Sequence, residues 1–334
     1  MLGTGITTAR LGRTDLSITR LGLGLWTLGP RDAARHPEAD ERAIKAIRLA
    51  VERGVNWIDT AAVYGLGHSE TLIRRALEPL PPDERPAVFT KCGVVWDDTR
   101  PSAPPRRVGD AASLRAGAYA SLRRLGVEHL DLLQMHWPPQ DGTPVEDYWQ
   151  TLLDLKAEGV ARYVGLANHS VDQLHAAERL GHVDAVKQPF SIAQREFAGR
   201  ELPWCLEHGT GVLVYRPMRA GLFSLGFTRR TAVTVPTEDW RSRRPHFTDK
   251  EEANAALVEA VRPVAERHGV SVGVLAVAWT LAWSGVSGVM VGARREEQVE
   301  AWLPADRLRL TDTDLLEIAA AIERTGAGEG PSRP

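Results

Sequence analysis

Eight short apolar runs, near 20–25, 55–58, 87–91, 130–135, 161–166, 183–187, 211–215 and 286–291, recur along the chain. They have strand length and are apolar throughout rather than alternating, as strands buried on both faces require. Between them lie stretches with apolar residues at helical spacing: Ala39–Arg53, Ser69–Leu77, Asp110–Leu125, Val145–Glu158, Val171–Leu180, Arg200–Glu207 and Lys250–His268. Parallel strands need such crossovers to bring the chain back to the same end of the sheet. Eight repeats of the unit predict an α/β fold, a closed (β/α)8 TIM barrel. The competing architecture is an open doubly wound sheet, but the G-x-G-x-x-G turn that marks its dinucleotide site is missing.

A length of 334 residues suits one such barrel, expected over 1–325. Ile6 to Thr19, with a turn at Gly12–Asp15, reads as an N-terminal β-hairpin. Two long strand-end loops, Gly93–Gly109 and Leu222–Asp249, are rich in Pro, Arg and Trp and are expected to act as lids or pocket walls. The closing stretch 326–334 is rich in Gly, Pro and Ser and is expected to be disordered.

Composition narrows the partners. A hydrophobic fraction of 43% supports a large core, and a net charge of −2 without a polybasic block points away from nucleic acid and anionic membranes, toward small molecules. Cys92 and Cys205 have no metal-ligand or CxxC spacing and read as reduced thiols, so no metal is expected. The first residues lack a basic start followed by an apolar stretch, and the chain reads as cytoplasmic. Val270–Ala293 is free of charge and long enough to span a bilayer. Its glycines and the turn-like Ser284–Gly288 instead predict a buried helix over Val272–Trp283 and a buried strand over Val286–Val291.

Polar residues close or follow these apolar runs: Asp59, Tyr64, Lys91, His136, Asn168, Gln188, Tyr215 and Gly292. A barrel collects such residues at its C-terminal face, where active sites of this fold are built. Taken singly each has a plain structural reading: a solvated lysine, a wall tyrosine, an N-capping aspartate, a satisfied histidine. Together Asp59, Tyr64, Lys91 and His136 make a proton-transfer device. The phenol is the donor, the amine lowers its pKa, the carboxylate holds the amine charged and the imidazole polarises a carbonyl.

Beyond these groups the chain resembles the aldo-keto reductases. The resemblance rests on Asp59-Thr-Ala-Ala-Val-Tyr64-Gly65 with Gly67-His-Ser-Glu70, on Phe89-Thr-Lys91, on Met135-His136-Trp137-Pro138, and on Val164-Gly-Leu-Ala-Asn168. It continues through Val186-Lys-Gln188, Val214-Tyr215-Arg216-Pro217-Met218 with Gly221, and Val291-Gly292-Ala293-Arg294 with Glu297-Gln298. These motifs run from about Arg10 to Leu310. The resemblance implies a metal-free NADP(H)-dependent oxidoreductase that interconverts aldehydes or ketones, sugars among them, and alcohols. Tyr64 is then the general acid and base, Lys91 and Asp59 tune it, and His136 orients the substrate oxygen.

The resemblance also implies cofactor contacts. Asn168 and Gln188 are placed on the nicotinamide carboxamide and Tyr215 flat on its ring, with Gly24, Trp26, Arg216, Pro217, Met218 and Gly221 around them. Gly292, Ala293, Arg294 and Gln298, with Arg295, fall where the adenosine phosphates lie. Trp26, Val63, Trp96 and Trp137 are expected to wall the substrate pocket. The chain departs from the family's pattern at Ala167, where a Ser is usual, at Trp302, where an Asn contacts adenine, and at Gly292 and Gln298, where a Lys and an Arg grip the 2′-phosphate. Arg294 and Arg295 are expected to replace the latter pair and favour NADP(H) over NAD(H), and Trp302 either stacks on adenine or packs against the barrel. The alternative to an enzyme is a regulatory subunit that keeps the barrel and the cofactor with little or no catalysis.

Overall fold

The computed structural model describes residues 5–26, 37–100, 103–223 and 251–334. An antiparallel hairpin, β1 (Thr8–Arg10) and β2 (Ser17–Thr19), precedes the barrel. The barrel strands are β3 (Leu21–Gly24), β4 (Trp57–Asp59), β5 (Ala87–Cys92), β8 (Leu130–Met135), β9 (Ala161–Ala167), β10 (Ala185–Pro189), β11 (Gly211–Tyr215) and β12 (Gly288–Gly292). A two-residue pair, β6 (Val94–Val95) with β7 (Arg106–Arg107), stands apart in the first long loop. The barrel strands pair in parallel and the ring closes where Val289 to Gly292 align with Leu21 to Gly24.

Helices cover the outside: α1 (Pro37–Glu52), α2 (His68–Leu77), α3 (Ala111–Leu125), α4 (Val145–Ala157), α5 (Val171–Glu178), α6 (Glu201–His208), α7 (Glu251–Arg267), α8 (Val272–Leu281), α9 (Glu296–Trp302) and α10 (Asp312–Thr325). Their starts are written in the sequence. The Asp110 carboxylate accepts from the Ser113 N–H at 2.9 Å, Ser271 caps Val274, and Ser170 with Gln173 forms a capping box. The charge-free stretch resolves into α8 and β12, and no described helix is long and apolar enough to cross a membrane.

Two cores hold this arrangement. The outer one lies between strands and helices. The inner one fills the lower barrel with Trp57, Phe89, Leu132, Leu213 and Met290, joined by Leu11 and Ile18 from the hairpin. Burial of each such side chain is worth roughly 1.5–3 kcal/mol. Gly22 and Gly24 are required by this filling, since a Cβ at Gly22 would fall 2.1 Å from the Trp57 ring and one at Gly24 2.6 Å from Met290. The Trp57 indole N–H donates to the Thr19 carbonyl at 2.8 Å and the Asn56 amide to that of Ser17 at 2.8 Å, so the hairpin plugs the N-terminal end. The opposite end is left for chemistry.

In place of the disorder expected at 326–334, Ala327 is fully buried. The buried Arg195 accounts for this: its guanidinium donates to the Ala327 carbonyl at 3.0 Å, and its backbone N–H to that of Glu329 at 3.1 Å. The second long loop lies outside the described residues apart from Leu222 and Phe223.

Candidate active site

Asp59 ends β4 and is wholly buried in the upper barrel. One carboxylate oxygen accepts from Lys91 Nζ at 2.6 Å, and the other forms an ion pair with Lys187 Nζ. Lys91, on β5, also donates to the Thr60 carbonyl at 2.5 Å. Tyr64 sits in the turn after β4, its ring centroid 5.3 Å from Lys91 Nζ. The His136 ring meets it edge-on at 5.6 Å and 78°. His136 directly follows β8, its backbone N–H held by the Cys92 carbonyl at 3.1 Å. Residues from the ends of three strands thus meet at one mouth, because parallel strands deliver all their C-terminal ends there.

Burial dominates the electrostatics. It pushes the Asp59 carboxyl upward, but the two adjacent ammoniums outweigh it and hold the group below the usual carboxylate range. Lys91 would lose its proton more readily through burial, yet Asp59 reverses that and raises it. The Tyr64 phenol is raised by burial, and the Lys91 cation only partly offsets this, so the net direction is opposite to the lowering expected from the amine alone. His136 is driven well below its ordinary value, first by burial and then by Lys91, Lys187 and Arg107, so its imidazole is neutral at physiological pH. A phenol and a neutral imidazole on one opening can grip a carbonyl oxygen between them and hand it a proton.

Next to this cluster lie the residues expected around a nicotinamide. The Asn168 amide donates to the His136 carbonyl at 2.9 Å and accepts from the Tyr215 hydroxyl at 2.7 Å. Asn168 adopts φ of 65°, a left-handed turn that aims the amide back over the barrel mouth. Gln188, buried at the end of β10, donates to the His169 carbonyl at 2.6 Å. Ala167 ends β9 and brings no hydroxyl to the mouth. Arg216 places its guanidinium 5.5 Å from both the Trp26 and the Tyr215 ring centroids. Pro217 and Met218 lead into a 3-10 turn at Arg219–Gly221, where the Gly221 N–H donates to the Met218 carbonyl at 3.1 Å.

Gly24 and Gly292 are paired at the ends of β3 and β12, and Ala293 is buried behind them. Arg294, Arg295 and Gln298 are exposed. The Gln298 side chain is engaged in the loop, its carbonyl oxygen accepting the Arg294 N–H at 2.7 Å. Trp302 is only 2% exposed and belongs to the outer core, so its ring packs against the barrel and offers no face for stacking.

Of the expected pocket wall, Trp137 stacks near the His136 ring at 6.3 Å, and the Arg107 guanidinium lies over the Trp137 ring at 4.5 Å. Val63 adjoins Tyr64 in the same turn and is half-buried. Trp96 instead turns its N–H to Asp98 at 2.7 Å and its ring toward Arg124 at 5.8 Å.

Lys187 and Gln134, which no motif marks as site residues, complete this cluster. Gln134 is fully buried beside Lys91 in the β5–β8 register, and neither polar atom of its amide has a hydrogen bond among the described residues. The signal for both was present: a Lys and a Gln inside runs read as buried on both faces must point into the barrel and find polar company there.

The molecule is a closed (β/α)8 barrel whose upper end gathers a carboxylate, two ammoniums, a phenol and an imidazole. A family model, the aldo/keto reductase family, matches residues 20–323, and the chain belongs to that family of oxidoreductases. It is 33% identical over 328 residues to the NADH-specific methylglyoxal reductase of Escherichia coli (strain K12), covering 94% of this chain and 98% of the relative. It is 27% identical to an aldo-keto reductase of Bacillus subtilis (strain 168), covering 93% and 92%. Among solved structures, the glycerol dehydrogenase from Gluconobacter oxydans superposes with a TM-score of 0.87 at 31% identity, covering 97% of both chains.

Proposed function

We propose that this chain reduces small aldehydes or ketones and oxidises the corresponding alcohols, with Tyr64 as the proton donor and acceptor. The observation that carries this reading is the meeting of Asp59, Lys91, Tyr64 and His136 at one barrel mouth. His136, neutral and buried, donates a hydrogen bond to the substrate oxygen and fixes its orientation toward the phenol. Tyr64 transfers its proton to that oxygen, and the positive charge of Lys91 stabilises the phenolate left behind. Asp59 keeps Lys91 charged and in place. Presence of all four groups argues against a purely regulatory subunit.

The mouth suits a nicotinamide cofactor. Asn168 and Gln188 each use one amide N–H within the protein and keep the other, and Tyr215 is half-buried with a ring open to stacking. Bound there, the cofactor supplies or takes up a hydride at the substrate carbon. Arg294 and Arg295, exposed and without an ion pair among the described residues, would hold a 2′-phosphate and favour NADP(H). A second reading, NAD(H), is favoured by the neutral Gln298 and by the name of the Escherichia coli relative. Titration of the protein with NADPH and NADH, followed by tryptophan fluorescence, separates the two. Assays with methylglyoxal, other small carbonyls and, in reverse, glycerol then test the reaction. Binding of neither cofactor would overturn the proposal.

A further inference from the structure

Lys187 places a second ammonium on the one carboxylate that serves Lys91. It projects from β10 into the barrel, is 2% exposed, and pairs with the Asp59 oxygen that Lys91 does not use. Its ammonium also lies 3.4 Å from the Met290 sulfur, a poor acceptor. Lys91 has better company, with Asp59 at 2.6 Å and the Thr60 carbonyl at 2.5 Å. With both amines protonated, this buried triad carries a net positive charge. The cheapest relief is loss of a proton from the amine with fewer oxygen acceptors, and Lys187 is that one.

We infer that Lys187 is a positioning residue that sets the acidity of Tyr64 through the carboxylate it shares with Lys91. The inference rests on Tyr64 being the proton donor. With Lys187 protonated, Asp59 is divided between two cations and neutralises Lys91 only in part, so the phenol feels a stronger positive field and yields its proton more easily. When Lys187 releases its proton to solvent, its neutral amine still donates to Asp59, the triad becomes neutral, and the phenol grows less acidic.

The groups facing Lys187 act in opposite directions. Asp59 on β4 favours its charged form and Lys91 on β5 opposes it, while Tyr215 on β11 lies 6.0 Å away and Gln134 on β8 and His136 just after it carry no charge at neutral pH. Burial is the largest influence, and it lowers the Lys187 ammonium to about 7. Arg216 also acts on Tyr64, but as a constant cation it adds no pH dependence in this range.

The test is the pH profile of kcat for carbonyl reduction between about 5.5 and 9. The wild type should show a fall of roughly threefold to tenfold as pH rises through neutrality, the size expected for about a one-unit change in the acidity of the donor. Lys187→Met should lose this step and stay at the lower, high-pH level. Lys187→Arg, charged throughout, should lose it and stay at the higher level. A structural role alone would alter stability or KM and leave the step in both variants, which overturns the inference.

Independently of any substitution, the chain has only five lysines, so carbon-13 labelling of their ε-carbons allows each to be followed by NMR. One should titrate near neutrality, and five lysines all titrating near 10 would refute the idea even if the variants failed to fold. Absence of carbonyl reduction by the wild type would instead count against the proposed function.

Discussion

Asp59 is the residue on which the site turns, because its two oxygens hold two ammoniums in a space that water does not reach. Removing its charge strands both cations. Asp59→Asn is expected to cost about 3–5 kcal/mol of stability, as when one partner of a buried pair is lost, and thermal unfolding measures it. Lys91→Met should leave the fold intact and lower kcat about a hundredfold or more, since the already raised phenol then loses its nearest cation. At the cofactor end, Arg294→Ala or Arg295→Ala should weaken NADPH about tenfold to a hundredfold while sparing NADH, the loss expected for a charge-assisted contact of roughly 1.5–3 kcal/mol. Equal weakening of both would place the arginines away from a 2′-phosphate.

Elements were legible wherever hydrophobic periodicity was strong. The runs 87–91 and 130–135 are found as β5 and β8, because continuous apolar segments of that length have few other ways to be buried. The run 286–291 shifts to Gly288–Gly292, as Ser287 is used to accept the Val212 N–H below the barrel. Asp59, Tyr64, Lys91 and His136 were legible because each lies at or just past the C-terminal end of a strand. Lys187 shows in the sequence as a lysine inside a buried run, but its pairing with Asp59 does not, because only barrel closure joins them. Trp302 shows where alignment with a family competes with local pattern. Val299 and Trp302, three apart on α9, form one buried face, and that spacing outweighs the family's adenine contact. Trp302→Ala is therefore expected to cost about 3–5 kcal/mol in a thermal or denaturant melt and to leave NADPH affinity unchanged. A tenfold loss of affinity without loss of stability would contradict the packing role.

For the whole molecule, buried titratable groups predict sensitivity to acid. His169 is enclosed with one ring nitrogen on the Ala167 carbonyl at 2.8 Å and the other on the Tyr148 hydroxyl at 2.9 Å, an arrangement that suits the neutral ring. Burial lowers its pKa to about 4. A histidine lowered on folding contributes stability above its unfolded value of about 6.5, and that contribution of about 3 kcal/mol is lost as pH falls from there to about 4. Burial would raise the Asp314 carboxyl, but the Thr311 N–H and hydroxyl, Arg267 and His268 outweigh it and hold it far below the usual range. That stability, which ties α7 to α10, is present above about 4 and lost below it. The melting temperature should thus decline in two stages on acidification, first between about 6.5 and 4 and then below 4, and a flat profile across the first interval would contradict this account.

The barrel, its hydrophobic plug and its ion cluster all serve to hold one phenol beside one cation at the open end. The most direct measurement is therefore a comparison of wild type with Tyr64→Phe, with cofactor binding by fluorescence and carbonyl reduction by loss of nicotinamide absorbance measured on the same samples. The variant is expected to bind cofactor as the wild type does and to lose turnover by a factor of about a thousand, within the range for a lost general acid. A Tyr64→Phe protein that binds cofactor normally and keeps most of its kcat would contradict the assignment of the proton to Tyr64.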